Sequence, residues 1–111
     1  MSKYKSIKCQ IGNIFFDSKR EMRHYAELKL RERAKEIRDL KLQPEFVLLE
    51  GFRDRNGKKI RPIVYRADFS YVDCKTGIMW TEDVKGFETA VFKIKEKLLL
   101  ARFPEINFRK V

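Results

Sequence analysis

Two runs of residues, about 61 to 73 and Ile78 to Lys85, are separated only by Cys74-Lys75-Thr76-Gly77, and this arrangement constrains the fold more than any other feature of the chain. Both runs are rich in β-branched and aromatic residues, and so short a connector joins antiparallel strands, so a hairpin is predicted. If the loop is the four residues 74 to 77, Asp73 pairs with Ile78 and paired positions sum to 151. Asp68 then stands opposite Asp83. A loop one residue shorter makes the two diagonal neighbours, still within reach of a common ligand. Side chains two apart on a strand share a face, so Asp83 and Lys85 point one way and Glu82 the other. Carboxylates placed across from each other repel. The pair is therefore either a solvated sheet face or the two sides of a cation site.

The rest of the chain supplies the frame. Ser18 followed by Glu21 is a capping-box pattern. It opens a helix predicted to run to about Lys35, with Met22, Tyr25, Ala26, Leu28 and Leu30 at apolar positions. Upstream, residues 4 to 16 read as a short hairpin or extended arm around Gly12-Asn13. Beyond the helix, Ile37, Leu40, Leu42 and Phe46 to Leu49 suggest an extended region interrupted at Gln43-Pro44, with a strand placed at about 45 to 52. Asn56-Gly57 marks a turn in a basic loop. Helical periodicity returns over 89 to 102 in Val91, Ile94, Leu98, Leu99 and Ala101; Pro104 ends it, and Ile106, Phe108 and Val111 supply a last strand. Tyr65, Phe69, Tyr71 and Trp80 are assigned to the core. The expected fold is α/β, one domain over 1–111: helix, three strands, helix, strand, preceded by a small N-terminal hairpin or arm within 1–16.

Charge narrows the partners. Lysine and arginine outnumber aspartate and glutamate 26 to 16, a formal charge of +10 on 111 residues, and such a field attracts polyanions, of which nucleic acid is the commonest. The alternative is a basic surface that serves solubility alone. No stretch approaches the ~20 apolar residues of a membrane span, so a soluble, cytoplasmic protein is expected. Cys9 and Cys74 lack the spacing of a zinc or redox motif and are read as ordinary thiols. The single histidine, His24, excludes nuclease chemistries that need two or more; it is read as structural or as a phosphate contact.

Phosphodiester hydrolysis requires a water made nucleophilic near neutral pH and a counter-charge for the developing phosphorane. Metal held by carboxylates supplies both. Asp68 and Asp83 without histidine or thiolate partners favour magnesium, with manganese as a substitute. Lys85 beside them is placed to orient the water or steady the transition state. Glu21 joins the set if the first helix crosses the hairpin; capping alone would also account for it. Arg53, Arg55, Lys58 and Lys59, together with Lys93, Lys95 and Lys97, are candidate phosphate contacts, although runs of charge are more often solvated faces.

Ala67-Asp68-Phe69 followed by Glu82-Asp83-Val84-Lys85-Gly86 resembles the signature of the PD-(D/E)XK nuclease superfamily, with Ala in place of the motif's proline and Asp in place of the commoner Glu. Through Phe16-Asp17-Ser18-Lys19-Arg20-Glu21, Leu42-Gln43-Pro44 and those two segments, the chain also resembles a phage and prophage family of short proteins of unassigned function. In plan it is similar to phage endonucleases that resolve Holliday junctions. The resemblance implies a restriction-endonuclease-like core with a mixed central sheet. It also implies a metal bound by Glu21, Asp68, Asp83 and the Val84 backbone carbonyl, and a homodimer cutting branched DNA. A sequence-preferring or nicking endonuclease, and a non-catalytic basic DNA-binding module, stand as the rival expectations.

Overall fold

The computed structural model describes residues 9–111; the part of the predicted N-terminal arm before Cys9 lies outside them. β1 (Cys9–Ile11) and β2 (Ile14–Phe16) form a tight hairpin that turns at Gly12, whose φ of +58° suits glycine. The hairpin is not a free arm. Cys9 and Phe16 are buried against the first helix, with the Phe16 and Tyr25 rings 5.1 Å apart.

Ser18 sits in extended backbone and its Oγ accepts the Glu21 amide at 3.1 Å, starting α1 (Lys19–Arg33). The inward face of α1 is Glu21, Tyr25 and Leu28, one residue per turn. Met22 packs at its margin, whereas Leu30 is largely exposed, so the apolar stripe is narrower than the spacing suggested. This face lies on a four-stranded sheet ordered β10-β9-β8-β3: β3 (Ile37–Leu42), β8 (Phe69–Asp73), β9 (Met79–Asp83) and β10 (Phe108–Lys110). Tyr25, Leu28, Ile37, Phe69 and Tyr71 form the first core. Each fully buried Leu or Phe contributes about 2 kcal/mol by leaving water.

The sheet is mixed, with β3 and β8 antiparallel, β8 and β9 antiparallel, and β9 and β10 parallel. A parallel pair needs a crossover, and α2 (Ala90–Arg102), capped by Thr89, provides it. The hairpin register matches the one expected: Phe69 faces Glu82, Tyr71 faces Trp80, and the Asp73 amide bonds the Ile78 carbonyl at 2.8 Å.

Two expectations are corrected. The strand foreseen over 61 to 73 is broken at Ala67-Asp68 into β7 (Ile63–Arg66) and β8. The strand foreseen over 45 to 52 is preceded by the separate β3, and itself divides into β4 (Glu45–Leu49) and β5 (Phe52–Arg53). The two breaks face each other. Gln43 donates its amide to Asp68 and Ala67 donates to Pro44, at 2.9 and 3.0 Å. Pro44 has no N–H to continue the ladder, and Gln43 has a positive φ of 52°, so the chain turns out of the central sheet there. β4 and β7 form a second, antiparallel pair with its own core of Leu48, Tyr65, Ala67, Phe92 and Leu99.

On α2 it is Phe92 and Leu99 that are buried, while Val91 and Ile94, expected inside, are 62% and 60% exposed. β5 pairs with β6 (Lys59–Ile60) around the Asn56-Gly57 turn, where Gly57 has φ +82°. Tyr65, Phe69 and Tyr71 are core residues as expected; Trp80 is half-buried under the Arg109 guanidinium, 4.1 Å from its ring centre. Both cysteines are free, Cys9 buried and Cys74 exposed. Among the described residues no helix is long and apolar enough to cross a membrane.

Candidate active site

The register brings Asp68 and Asp83 together where the central sheet meets the second pair. Each carboxylate is held by a backbone amide of the opposite strand: Asp83 Oδ1 accepts from Asp68 at 3.0 Å, and Asp68 Oδ2 accepts from Val84 at 2.7 Å. The amide of Val84 is thus committed to Asp68. Asp83 is 1% exposed, and its Oδ2 has no hydrogen-bond partner. Lys85 Nζ stands 3.7 Å away, too far for a hydrogen bond, and rests 4.1 Å above the centre of the Phe92 ring. A buried carboxylate oxygen without a partner is costly and uncommon.

Glu21 enters the same neighbourhood from α1. Its amide receives the Ser18 cap, but no hydrogen bond among the described residues ties its carboxylate back to the Ser18 amide. Capping therefore does not occupy the side chain. Burial, reinforced by the negative charges of Asp68, Asp17 and Asp83, raises the Glu21 carboxyl to about 7. Burial likewise raises Asp83 to about 6 against the opposing pull of Lys85 and the Asp68 amide, and it raises Asp68. All three acids resist ionisation through burial, and Glu21 also feels the charges of Asp68 and Asp83.

These are hard oxygen donors without a softer ligand. Among the described residues no three His, Cys, Asp or Glu side chains already stand close enough to form a complete metal cage. Magnesium typically takes one or two protein carboxylates and completes its shell with water and substrate phosphate, so the Asp68–Asp83 pair is the kind of donor set it uses.

Glu82, next in sequence to Asp83 and pointing to the other face as parity predicts, lies in a different environment. His24 Nε2 approaches Glu82 Oε1 at 2.7 Å, while the Tyr71 hydroxyl and Arg109 Nε donate to Oε2 at 2.6 and 2.7 Å. Arg109 also donates to the Tyr71 hydroxyl. Burial alone would raise Glu82, but its His24, Tyr71 and Arg109 partners prevail and hold it at about 2. This network joins α1, β8, β9 and β10, and it gives His24 a structural partner. Sequence reasoning missed Arg109 and Tyr71 as its members. The signal was present: Phe69, Tyr71, Trp80 and Glu82 share a face, and a glutamate among aromatics needs cationic or hydroxyl partners.

The other candidates are more scattered. Lys93 and Lys97 are exposed on α2, and Arg55, Lys58 and Lys59 are exposed on the β5–β6 hairpin, away from the acids in sequence and element. Lys95 is not a free phosphate contact, because its Nζ donates to the Val64 carbonyl at 3.0 Å and anchors α2 to β7.

Fold and site together define an α/β protein with a mixed sheet, two helices among the described residues, and a largely buried acidic group beside one lysine at the sheet junction. The chain belongs to the family described as protein of unknown function (DUF1064), which matches residues 1–111. No curated protein and no solved structure matches it.

Proposed function

We propose that the protein is a metal-dependent endodeoxyribonuclease with a restriction-endonuclease-like core, and that branched DNA is its preferred substrate. The observation that carries the reading is the unsatisfied Asp83 Oδ2, facing Lys85 beside the half-buried Asp68 carboxylate and within the field of Glu21. The succession α1, β3, β8, β9, α2, β10 with a mixed sheet supports the core assignment, as do the motif residues on the two hairpin strands.

Asp68 and Asp83 would hold magnesium or manganese, with Glu21 and the Val84 carbonyl as further donors. When bound, the metal supplies a water of lowered pKa and positive charge for the phosphate oxygens. The protein's own part is positional. The amides of Asp68 and Val84 fix the two carboxylates, so neither must reorganise when a phosphate arrives. The Lys85 ammonium, braced on Phe92, is aimed at Asp83 and at whatever anion lies over it, where it steadies charge that grows toward the phosphorane. Ser18 starts α1 so that Glu21 falls on the buried face of its first turn. The net charge of +10 favours nucleic acid as the polyanion, and a homodimer would place two such sites on symmetric strands.

The test is cleavage of a four-way junction, a linear duplex and a single strand in magnesium, with wild type beside Asp83→Ala. Junction cutting that the substitution abolishes supports the proposal. Equal cutting of linear duplex replaces the branched-substrate preference with that of a general or nicking endonuclease. Tight, salt-dependent binding without any cutting overturns the enzyme in favour of a DNA-binding module.

A further inference from the structure

We infer that the β5–β6 hairpin is an arm that takes hold of unpaired nucleic acid, with Phe52 as its stacking surface and the cations around it as phosphate contacts. The inference rests on the nucleic-acid partner proposed above and adds the structural class of the substrate.

The first observation is isolation. Among the described residues, β5 and β6 touch each other and no other helix or strand. A two-stranded hairpin alone in water is only marginally stable, and this one adds nothing to either core. Its geometry is nonetheless well specified. Asp54 Oδ1 accepts the Asn56 and Lys58 amides, each at 2.9 Å, and Arg53 reaches the Gly57 carbonyl at 2.9 Å. At the root, a Cβ on Gly51 would lie 3.2 Å from the Ile60 carbonyl oxygen and 3.3 Å from Pro62, so the two strands leave the body in close contact. The chain specifies an arm that, among the described residues, joins neither core.

The second observation is charge. From Arg53 to Arg61 the hairpin carries Arg53, Arg55, Lys58, Lys59 and Arg61 against a single acid, Asp54, whose carboxylate already serves the turn. That balance selects a polyanion over an apolar or acidic-and-apolar protein surface.

The third observation distinguishes unpaired from paired nucleic acid. Phe52 is 48% exposed opposite Ile60, at the edge of an open cavity of about 680 Å³ that Arg53, Lys59, Arg61 and Pro62 also line. An exposed aromatic ring ringed by cations offers a π face to a base and positive charge to its phosphate, the combination that holds single strands. Bases inside a duplex present no free face, so duplex would meet only the cations. A branch point or a frayed strand supplies the unstacked base that this surface fits.

The experiment is anisotropy of fluorescein-labelled oligothymidylate and of a duplex of equal length, in calcium to prevent cutting, with wild type, Phe52→Ala and Phe52→Trp. Stacking contributes about 1–3 kcal/mol per base, so Phe52→Ala is expected to weaken single-strand binding roughly tenfold while duplex binding stays unchanged, and Phe52→Trp is expected to restore it. Because the hairpin packs against no other element, thermal melting should not move. Unchanged single-strand affinity in Phe52→Ala, or equal losses on both ligands, overturns the arm. Failure of this inference and failure of the nuclease reading are separable. A protein that never cuts but shows the Phe52 effect keeps the arm and loses the enzyme, whereas one that cuts in magnesium with no Phe52 effect does the reverse.

Discussion

Asp83 and Glu82 are adjacent on one strand and equally inaccessible, each about 1% exposed, yet their carboxyls diverge to about 6 and about 2. Burial opposes ionisation in both. The difference lies in what each face of β9 supplies. On the α1 face Glu82 meets a histidine, a tyrosine hydroxyl and a guanidinium, so its charge is satisfied and it fastens elements together. On the opposite face Asp83 meets a single amide and a lysine beyond hydrogen-bonding distance, and its charge is felt by Glu21 at the start of α1, so one of its oxygens is left without a partner. A saturated carboxylate is structural; on the function proposed above, an unsaturated one would be binding capacity.

Substituting each residue in turn should separate the two roles. Glu82→Ala leaves the Arg109 guanidinium and the Tyr71 hydroxyl without their acceptor, and chemical denaturation should show a loss of about 3–5 kcal/mol. Asp83→Asn should behave oppositely: cleavage falls by roughly 10²–10³-fold, while the melting temperature in chelator equals or exceeds that of wild type. A wild-type melt that stays higher than the Asp83→Asn melt would show that Asp83 is structural after all.

A stability titration without metal shows both sides of the strand at once. Asp83 and Glu21 have folded-state values raised above their ordinary 3.8 and 4.5, so their contribution is present in full below about 4 and lost as pH rises through about 6 to 7. Glu82 is depressed from 4.5, so its contribution is present above 4.5 and lost as pH falls toward 2. Stability should therefore rise on acidification from neutral pH, by on the order of 3 kcal/mol from Asp83, and then fall below about 4. Asp83→Asn should flatten the neutral limb and leave the acid limb intact. Magnesium should stabilise more at pH 8 than at pH 5, since it competes with the protons of the cluster.

The smallest effect is expected at Ser18→Ala. Loss of this cap should cost about 1 kcal/mol of stability, together with a moderate rise in the magnesium needed for cleavage, because the amide it releases belongs to Glu21. Unchanged magnesium dependence would remove Glu21 from the site and leave the cap a purely local device.

The hairpin register was legible in advance because a tight loop between two runs leaves few pairings, and period-two alternation then assigns every side chain to a face. Asp68 opposite Asp83, with Lys85 on the same side, followed from that arithmetic. The break at Ala67-Asp68 was not legible. Nothing local forbids a continuous strand there; the interruption is imposed from across the sheet, where Pro44 and the positive φ of Gln43 turn the neighbouring chain. The orientation of α2 was missed for a related reason. Its apolar residues span more than one face, and only the position of β4 and β7 decides that Phe92 and Leu99 are covered while Val91 and Ile94 are not. The Glu82 network depends on Arg109 arriving from β10 through a parallel crossover, a contact between residues 27 apart in sequence.

From Lys59, at the start of β6 in the arm, the chain runs through β7 and reaches Asp68 without an intervening helix. Nine residue steps of extended backbone reach at most roughly 30 Å, a little less than one turn of duplex. If the arm holds a strand as inferred, that run would be a ruler with a grip at one end and an acid at the other. A strand held at Phe52 would be presented to Asp68 at a separation that the chain length bounds, and lengthening or shortening β7 should shift where a held strand is cut relative to the point at which its pairing ends.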